Sequence, residues 1–229
     1  RRFDEAKFPY GIRLTVVAGH VARLADSVEF LFYEFRPRGI LIEPVYRLGR
    51  GAAAESAESE AFLDAYRAAS ERARARDGHV QFSGARAGVL TSHFCGVSRD
   101  NFCVSADGDV TACFEAFDER VPWARPFFYA KPAEDGAGYR FDAAALARLR
   151  SLSVWNRPHC ADCFAKWSCA GDCYCKWLAG SGGGEFRGSA RCRVIRELTK
   201  DQILEKISAA GGIVWHEPGP ACSTEVALC

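Results

Sequence analysis

Residues 11–18, Gly-Ile-Arg-Leu-Thr-Val-Val-Ala, alternate apolar and polar at first and then turn wholly apolar, which predicts a strand buried largely on both faces. Val21, Leu24, Ala25, Val28, Leu31, Phe32 and Phe35 then recur at helical spacing, and Pro37 and Gly39 end that helix. Ile40 to Tyr46 predicts a second strand whose pairing loosens at Pro44. Gly49 and Gly51 follow, and residues 55–76 predict a second helix with Phe62, Tyr66, Ala69 and Ala73 on one face. This order of strand, helix, strand, helix implies parallel strands joined by a right-handed crossover. Two parallel strands do not make a stable sheet alone, and the later sequence offers no further unit of this type. Residues 1–80 therefore read as the last slice of a larger α/β barrel, an expectation in keeping with the absence of methionine.

The pattern changes at Gly84. Residues 84–92 are rich in Gly, Ala, Ser and Thr and predict a boundary, so the expected units are 1–83, 84–199 and a C-terminal helix end and tail over 200–229. Asp107-Gly108 between two β-rich runs predicts a hairpin. With a two-residue loop there, Cys113 lies opposite Phe102, and Cys103 points away from Cys113; a three-residue loop reverses that. Cys103 reads on this basis as a core residue. Residues 118–140 scatter Pro122, Pro126, Pro132, Gly136 and Gly138 among aromatics and predict an irregular loop over a site. Asp142 is placed to cap a short helix carrying Leu146, Leu149 and Leu152. Residues 180–184 form a glycine-rich turn, and Ile195, Leu198, Ile203 and Ile207 mark a C-terminal helix packed on the body. The tail from Gly211, with Trp215, His216, Cys222 and Cys229, receives no role.

Composition narrows the partners. A chain that is 48% apolar with a mean hydropathy of -0.13 suits a soluble globular protein. No apolar run approaches a membrane span, and a net charge of +1 leaves no footprint for nucleic acid or anionic lipid. Neither a nucleic acid nor a membrane is an expected partner.

The candidate chemistry lies between Cys160 and Cys175, where five cysteines (Cys160, Cys163, Cys169, Cys173, Cys175) fall within sixteen residues. A core does not need such a run, whereas soft metal centres do, because thiolates are their preferred ligands. A Cys-x-x-Cys pair offers two sulfurs from one chain reversal. Cys169 and Cys173, four apart, would share a face on a helix, with Gly171 between them where backbone can pass close to inorganic sulfide. A disulfide framework fits poorly, because 229 residues can bury a core without staples and eleven cysteines is an odd count. Structural zinc on paired Cys-x-x-Cys knuckles stays open. Clustered thiols point to a reducing compartment, and the cytoplasm is the expected location.

Taken together the cysteines read Cys95-x12-Gly108-x4-Cys113, a gap, Cys160-x2-Cys163-x5-Cys169-x3-Cys173, a gap, and Cys192. This resembles the seven-cysteine signature of the SPASM domain, the C-terminal extension of many radical SAM enzymes. The resemblance covers residues 93–195, and residues 1–80 are similar to the late strands and helices of the partial radical SAM barrel. The fold it implies is a C-terminal slice of a partial (β/α) barrel followed by a small α+β, cysteine-rich domain with a β-hairpin. The run from Cys163 to Cys173 resembles that of peptide-modifying members.

The resemblance implies two auxiliary four-iron four-sulfur clusters, one on Cys160, Cys163, Cys169 and Cys192, the other on Cys95, Cys113 and Cys173. The fourth ligand of the second stays open between Cys103, Cys175, His93 and a substrate atom. The implied enzyme is a maturase of a ribosomally made precursor peptide, served by a reductant such as ferredoxin or flavodoxin and forming a thioether or carbon–carbon crosslink. The family's SAM-cleaving Cys-x3-Cys-x2-Cys motif does not occur in these residues, so S-adenosylmethionine and a third cluster belong only to a complete enzyme. Sulfatase-maturing relatives carry a basic aspartate after the cysteine matching Cys113. Phe114 stands there in this chain, and Glu115 reads as a solvated surface acid, which argues against sulfatase maturation. Trp155, Phe164, Trp167 and Trp177 are candidates to shield the clusters from water, although plain packing explains them as well. The alternative function is a zinc-binding interaction module without chemistry. A free-standing electron carrier is disfavoured, since it would not need the barrel strands.

Overall fold

The computed structural model describes residues 1–46, 53–181 and 183–212. Gly49, Gly51, the middle of the glycine turn at Gly182 and the tail residues Trp215, His216, Cys222 and Cys229 lie outside the described residues.

A short helix α1 (Arg2–Glu5) precedes β1 (Ile12–Val16), α2 (Leu24–Glu34), β2 (Ile40–Pro44) and α3 (Ser59–Arg74). The two strands are parallel, with Ile12 opposite Ile40 and Val16 opposite Pro44, so pairing holds up to the proline and ends with it. A third parallel strand was not expected: β3 (Val80–Gln81) pairs Val80 with Ile40 on the other side of β2. Two residues are too few to show a period, so no pattern in the sequence announced it. β2 is thus central, and its Ile40 and Ile42 are fully buried.

The core on this sheet collects Leu24 and Val28 from α2, and Phe62, Tyr66, Ala69 and Ala73 from α3, as their helical spacing requires. Phe62, Tyr66 and Phe82 meet with ring centroids 5.9–6.4 Å apart. The last helix, α7 (Ala190–Ala209), returns to this core with Val194, Ile195 and Leu198. It runs unbroken through residue 199, past the expected unit boundary, and Arg67 of α3 holds Asp201 at 2.8 Å and Glu197 at 3.3 Å. Ile195 and Leu198 pack as expected, whereas Ile203 and Ile207 stay a little over a third exposed.

The second unit is an antiparallel sheet of β4 (Cys103–Val104), β5 (Val110–Thr111), β6 (Phe128–Pro132) and β7 (Tyr139–Phe141), in that order. The expected irregular loop over 118–140 therefore contains two strands. Phe128, Tyr129 and Ala130 are buried against the rest of the sheet, and β6 ends at Pro132, which cannot donate to a ladder. The hairpin is real, but its loop has three residues: Cys103 faces Thr111, and the amide of Ser105 donates to the Asp109 carbonyl at 2.8 Å. The Asp109 amide in turn donates to the Ser105 hydroxyl at 3.1 Å, which fixes the longer loop. Helix α4 (Ala143–Arg150) packs on β6, and the Asp142 carboxylate caps it by accepting from the Ala145 amide at 2.9 Å.

Candidate metal centre

Cys160 ends a single helical turn begun by Pro158, Cys163 follows in a tight turn, Cys169 ends the one-turn helix α5 (Lys166–Cys169), and Cys192 lies in the first turn of α7. Backbone bonds from Cys163 to the Cys160 carbonyl (3.2 Å), Lys166 to Cys163 (3.1 Å) and Cys169 to Ala165 (2.8 Å) fold this stretch into consecutive reversals. All four cysteines line one cavity of about 250 Å³, together with Gly171 and Phe186. Burial pushes the Cys160 thiol up while the Arg157 charge opposes it, and burial also pushes Cys169 up.

Arg157 is buried behind this cavity. Its guanidinium donates to the Gly171 carbonyl and lies 4.3 Å from the Phe186 ring centre. Burial lowers its affinity for the proton, and the Cys160 thiol is the foremost group acting the other way. Among the described residues no carboxylate lies within ion-pair distance of Arg157. A buried cation without an ionic partner is costly, and negative charge on the adjacent thiols is what would offset it.

Cys169 and Cys173 do not share a helix face. Helix α5 stops at Cys169, and Ala170, Gly171 and Asp172 all take positive φ (55°, 81° and 65°). Such a run reverses the chain at the cost of strain on the two residues with a Cβ. A Cβ on Gly171 would come within 2.9 Å of Arg157 Cδ, so glycine is required there. The reversal sends Cys169 to the first thiol group and Cys173 to a second.

In that second group, Cys113 follows β5, and Cys173 and Cys175 flank the start of α6 (Tyr174–Ser181). The neighbouring Cys175 thiol holds Cys113 down to about 7, while Cys113 and burial push Cys175 up. Burial pushes Cys173 up to about 12. Cys95 is exposed as a residue, yet its sulfur is sheltered enough for burial to raise it, with Cys113 and Glu115 adding to the effect. Glu115 is half-buried, with Oε2 3.6 Å from the Cys175 sulfur. The expectation of a solvated surface acid is thereby corrected: beyond Thr111 the chain leaves its ladder with β4, so strand alternation no longer sets the direction of Glu115.

Cys160, Cys163, Cys169 and Cys192 thus line one cavity, and Cys113, Cys173 and Cys175 pack in a separate cluster. Cys103 stays apart. The three-residue loop reverses the predicted parity, but the Cys103 sulfur accepts from Asn101 Nδ2 at 3.3 Å and lies near Tyr129. The His93 ring is hydrogen-bonded to the Ser92 hydroxyl at 2.9 Å. Of the predicted shielding aromatics, Trp155 and Phe164 are 70% and 54% exposed, so they do not seal a site. Trp177 packs instead on Phe186, 5.8 Å between centres. Phe186 and Arg157 went unrecognised in the sequence because neither belongs to a cysteine pattern.

A buried ion network joins the groups to the parallel sheet. Arg191, next to Cys192, donates to Asp172, next to Cys173, at 2.8 Å, and to Glu43 of β2 at 2.9 Å. Burial pushes the Asp172 carboxyl up to about 6. Lys176 completes the set at 3.7 Å from Glu43.

Among the described residues no three His, Cys, Asp or Glu side chains converge as ligands of one metal ion, and no helix is long and apolar enough to cross a membrane. Comparison of the chain with family models, with curated proteins and with solved structures found no match.

Proposed function

We propose that this chain carries the auxiliary-cluster part of a radical SAM/SPASM maturase acting on a ribosomally made peptide in the cytoplasm. The observation that carries the reading is the ring of Cys160, Cys163, Cys169 and Cys192 around one cavity of about 250 Å³, backed by buried Arg157. Thiols spread around a cavity suit a group with several irons, each taking one thiolate, better than a single zinc, which draws its four sulfurs to about 2.3 Å from one point. Parallel strands followed by a cysteine-rich antiparallel unit are the order expected of a late barrel and its extension.

When bound, two four-iron four-sulfur clusters would supply one-electron transfer to or from a peptide radical made by SAM cleavage in the complete enzyme, with ferredoxin or flavodoxin as reductant. The chain's own residues bind and tune. Cys160, Cys163, Cys169 and Cys192 give up their protons to hold the first group. Arg157 offsets the negative charge that this brings inside. Phe186 and Trp177 exclude water on that side. Cys95, Cys113 and Cys173 hold the second group. The bond formed in the peptide is a thioether or carbon–carbon crosslink.

Anaerobic purification followed by iron, sulfide and zinc analysis tests the reading. About eight irons and eight sulfides per chain with little zinc are expected. About two zincs and no sulfide would overturn it in favour of a zinc-held interaction module.

A further inference from the structure

We infer that Cys175 is the fourth thiolate of the second site, closing it with Cys95, Cys113 and Cys173 so that no iron there is left open to a peptide atom. The inference rests on the two-cluster reading above and adds a residue that its spacing leaves undecided.

Cys175 is 1% exposed, the most buried of the described cysteines. It lies in the first turn of α6, two residues past Cys173, and packs in one buried cluster with Cys113 and Cys173. A cysteine serving only as a small hydrophobe would meet apolar neighbours. Leu178 and Phe127 belong to its cluster, but so do Cys113 and Cys173, and its thiol donates to Glu115 Oε2, 3.6 Å away. The competing donors are otherwise engaged: Cys103 accepts from Asn101 at 3.3 Å, and the His93 ring is tied to Ser92 at 2.9 Å. Glu115 is the one rival that the geometry offers. Four thiolates satisfy a four-iron cluster, each losing its proton on binding.

The test uses the full chain, purified without oxygen, reduced, and mixed with isotope-labelled imidazole as a probe for an open iron. Pulsed EPR of the unaltered protein is expected to show no imidazole nitrogen coupled to either cluster. Cys175→Ala is expected either to gain that coupling or to fall from about eight irons to about four, with the signal of the Cys160 cluster kept. Cys103→Ala and Glu115→Gln are expected to keep the full count and the unaltered spectrum. Two results overturn the inference: imidazole coupling in the unaltered protein that disappears in Cys113→Ala, or a Cys175→Ala protein with full iron and an unchanged spectrum. A change of spectrum in Glu115→Gln alone would assign the fourth position to the carboxylate and overturn it as well. Should Cys175→Ala fail to fold, the unaltered protein and Glu115→Gln decide. Absence of iron and sulfide from the unaltered protein would overturn the two-cluster reading and the inference with it.

Discussion

Arg191 is 8% exposed and holds two carboxylates, Asp172 at 2.8 Å and Glu43 at 2.9 Å. Removing it leaves two buried acids, with Lys176, 3.7 Å from Glu43, the one other cation within ion-pair distance among the described residues. Arg191→Ala is therefore expected to cost about 3–5 kcal/mol, read as a lowered midpoint in urea unfolding of the cluster-free protein. A cost below about 1 kcal/mol would mean that water already reaches the network. Thr199 gives the opposite sign. Its hydroxyl is buried without a hydrogen-bond partner among the described residues, and it is 1% exposed. Thr199→Val keeps the shape and removes the unsatisfied group, so a gain of about 1 kcal/mol is expected in the same measurement. No gain would mean that the hydroxyl finds a partner in solution.

At the scale of elements, α3 holds the first core together. Its Phe62 is 1% exposed and touches Tyr66 of its own helix and Phe82 beyond β3. Phe62→Ala opens a cavity between that helix and the rest of the core, and about 3–5 kcal/mol of stability should be lost. Because α7 lies on the same core and carries Cys192 in its first turn, the loss should also loosen the first thiol group. Faster release of iron to a chelator by Phe62→Ala than by the unaltered protein is the measurement; equal rates would show that α7 stays seated without α3.

Over the whole molecule the two thiol groups share no cysteine. The reversal at Ala170–Asp172 separates them, and the Asp172–Arg191 pair spans them. On the proposed two-cluster reading, cluster loss should accordingly be divisible. Cys160→Ser is expected to leave about four irons per chain, and Cys113→Ser about four of the other kind, distinguished by their EPR signals. Loss of all iron in either variant would show that the sites assemble together.

The long elements were legible because their hydrophobic period spans many residues: α2, α3, β1 and β2 stand where the pattern sets them, and Asp142 caps α4. That Cys160, Cys163, Cys169 and Cys192 line one cavity follows from no hydrophobic period, and only their spacing, which resembles a known signature, suggested that they belong together. Strand β3 and the β6–β7 pair escaped, since a two-residue strand shows no period and prolines and glycines mask the ends of β6 and β7. The hairpin loop grew from two residues to three because Ser105 bonds to Asp109, a side-chain contact that a turn dipeptide does not encode. Local sequence thus determined which segments are helices and strands and which residues bring sulfur. Only the tertiary structure decided where the sulfurs point, with Cys169 and Cys173 sent apart by three left-handed residues, Cys175 turned to Glu115, and Arg157 set behind the cavity. The physical reason is that direction depends on chain reversals and on burial against residues distant in sequence, and neither leaves a period for the sequence to display.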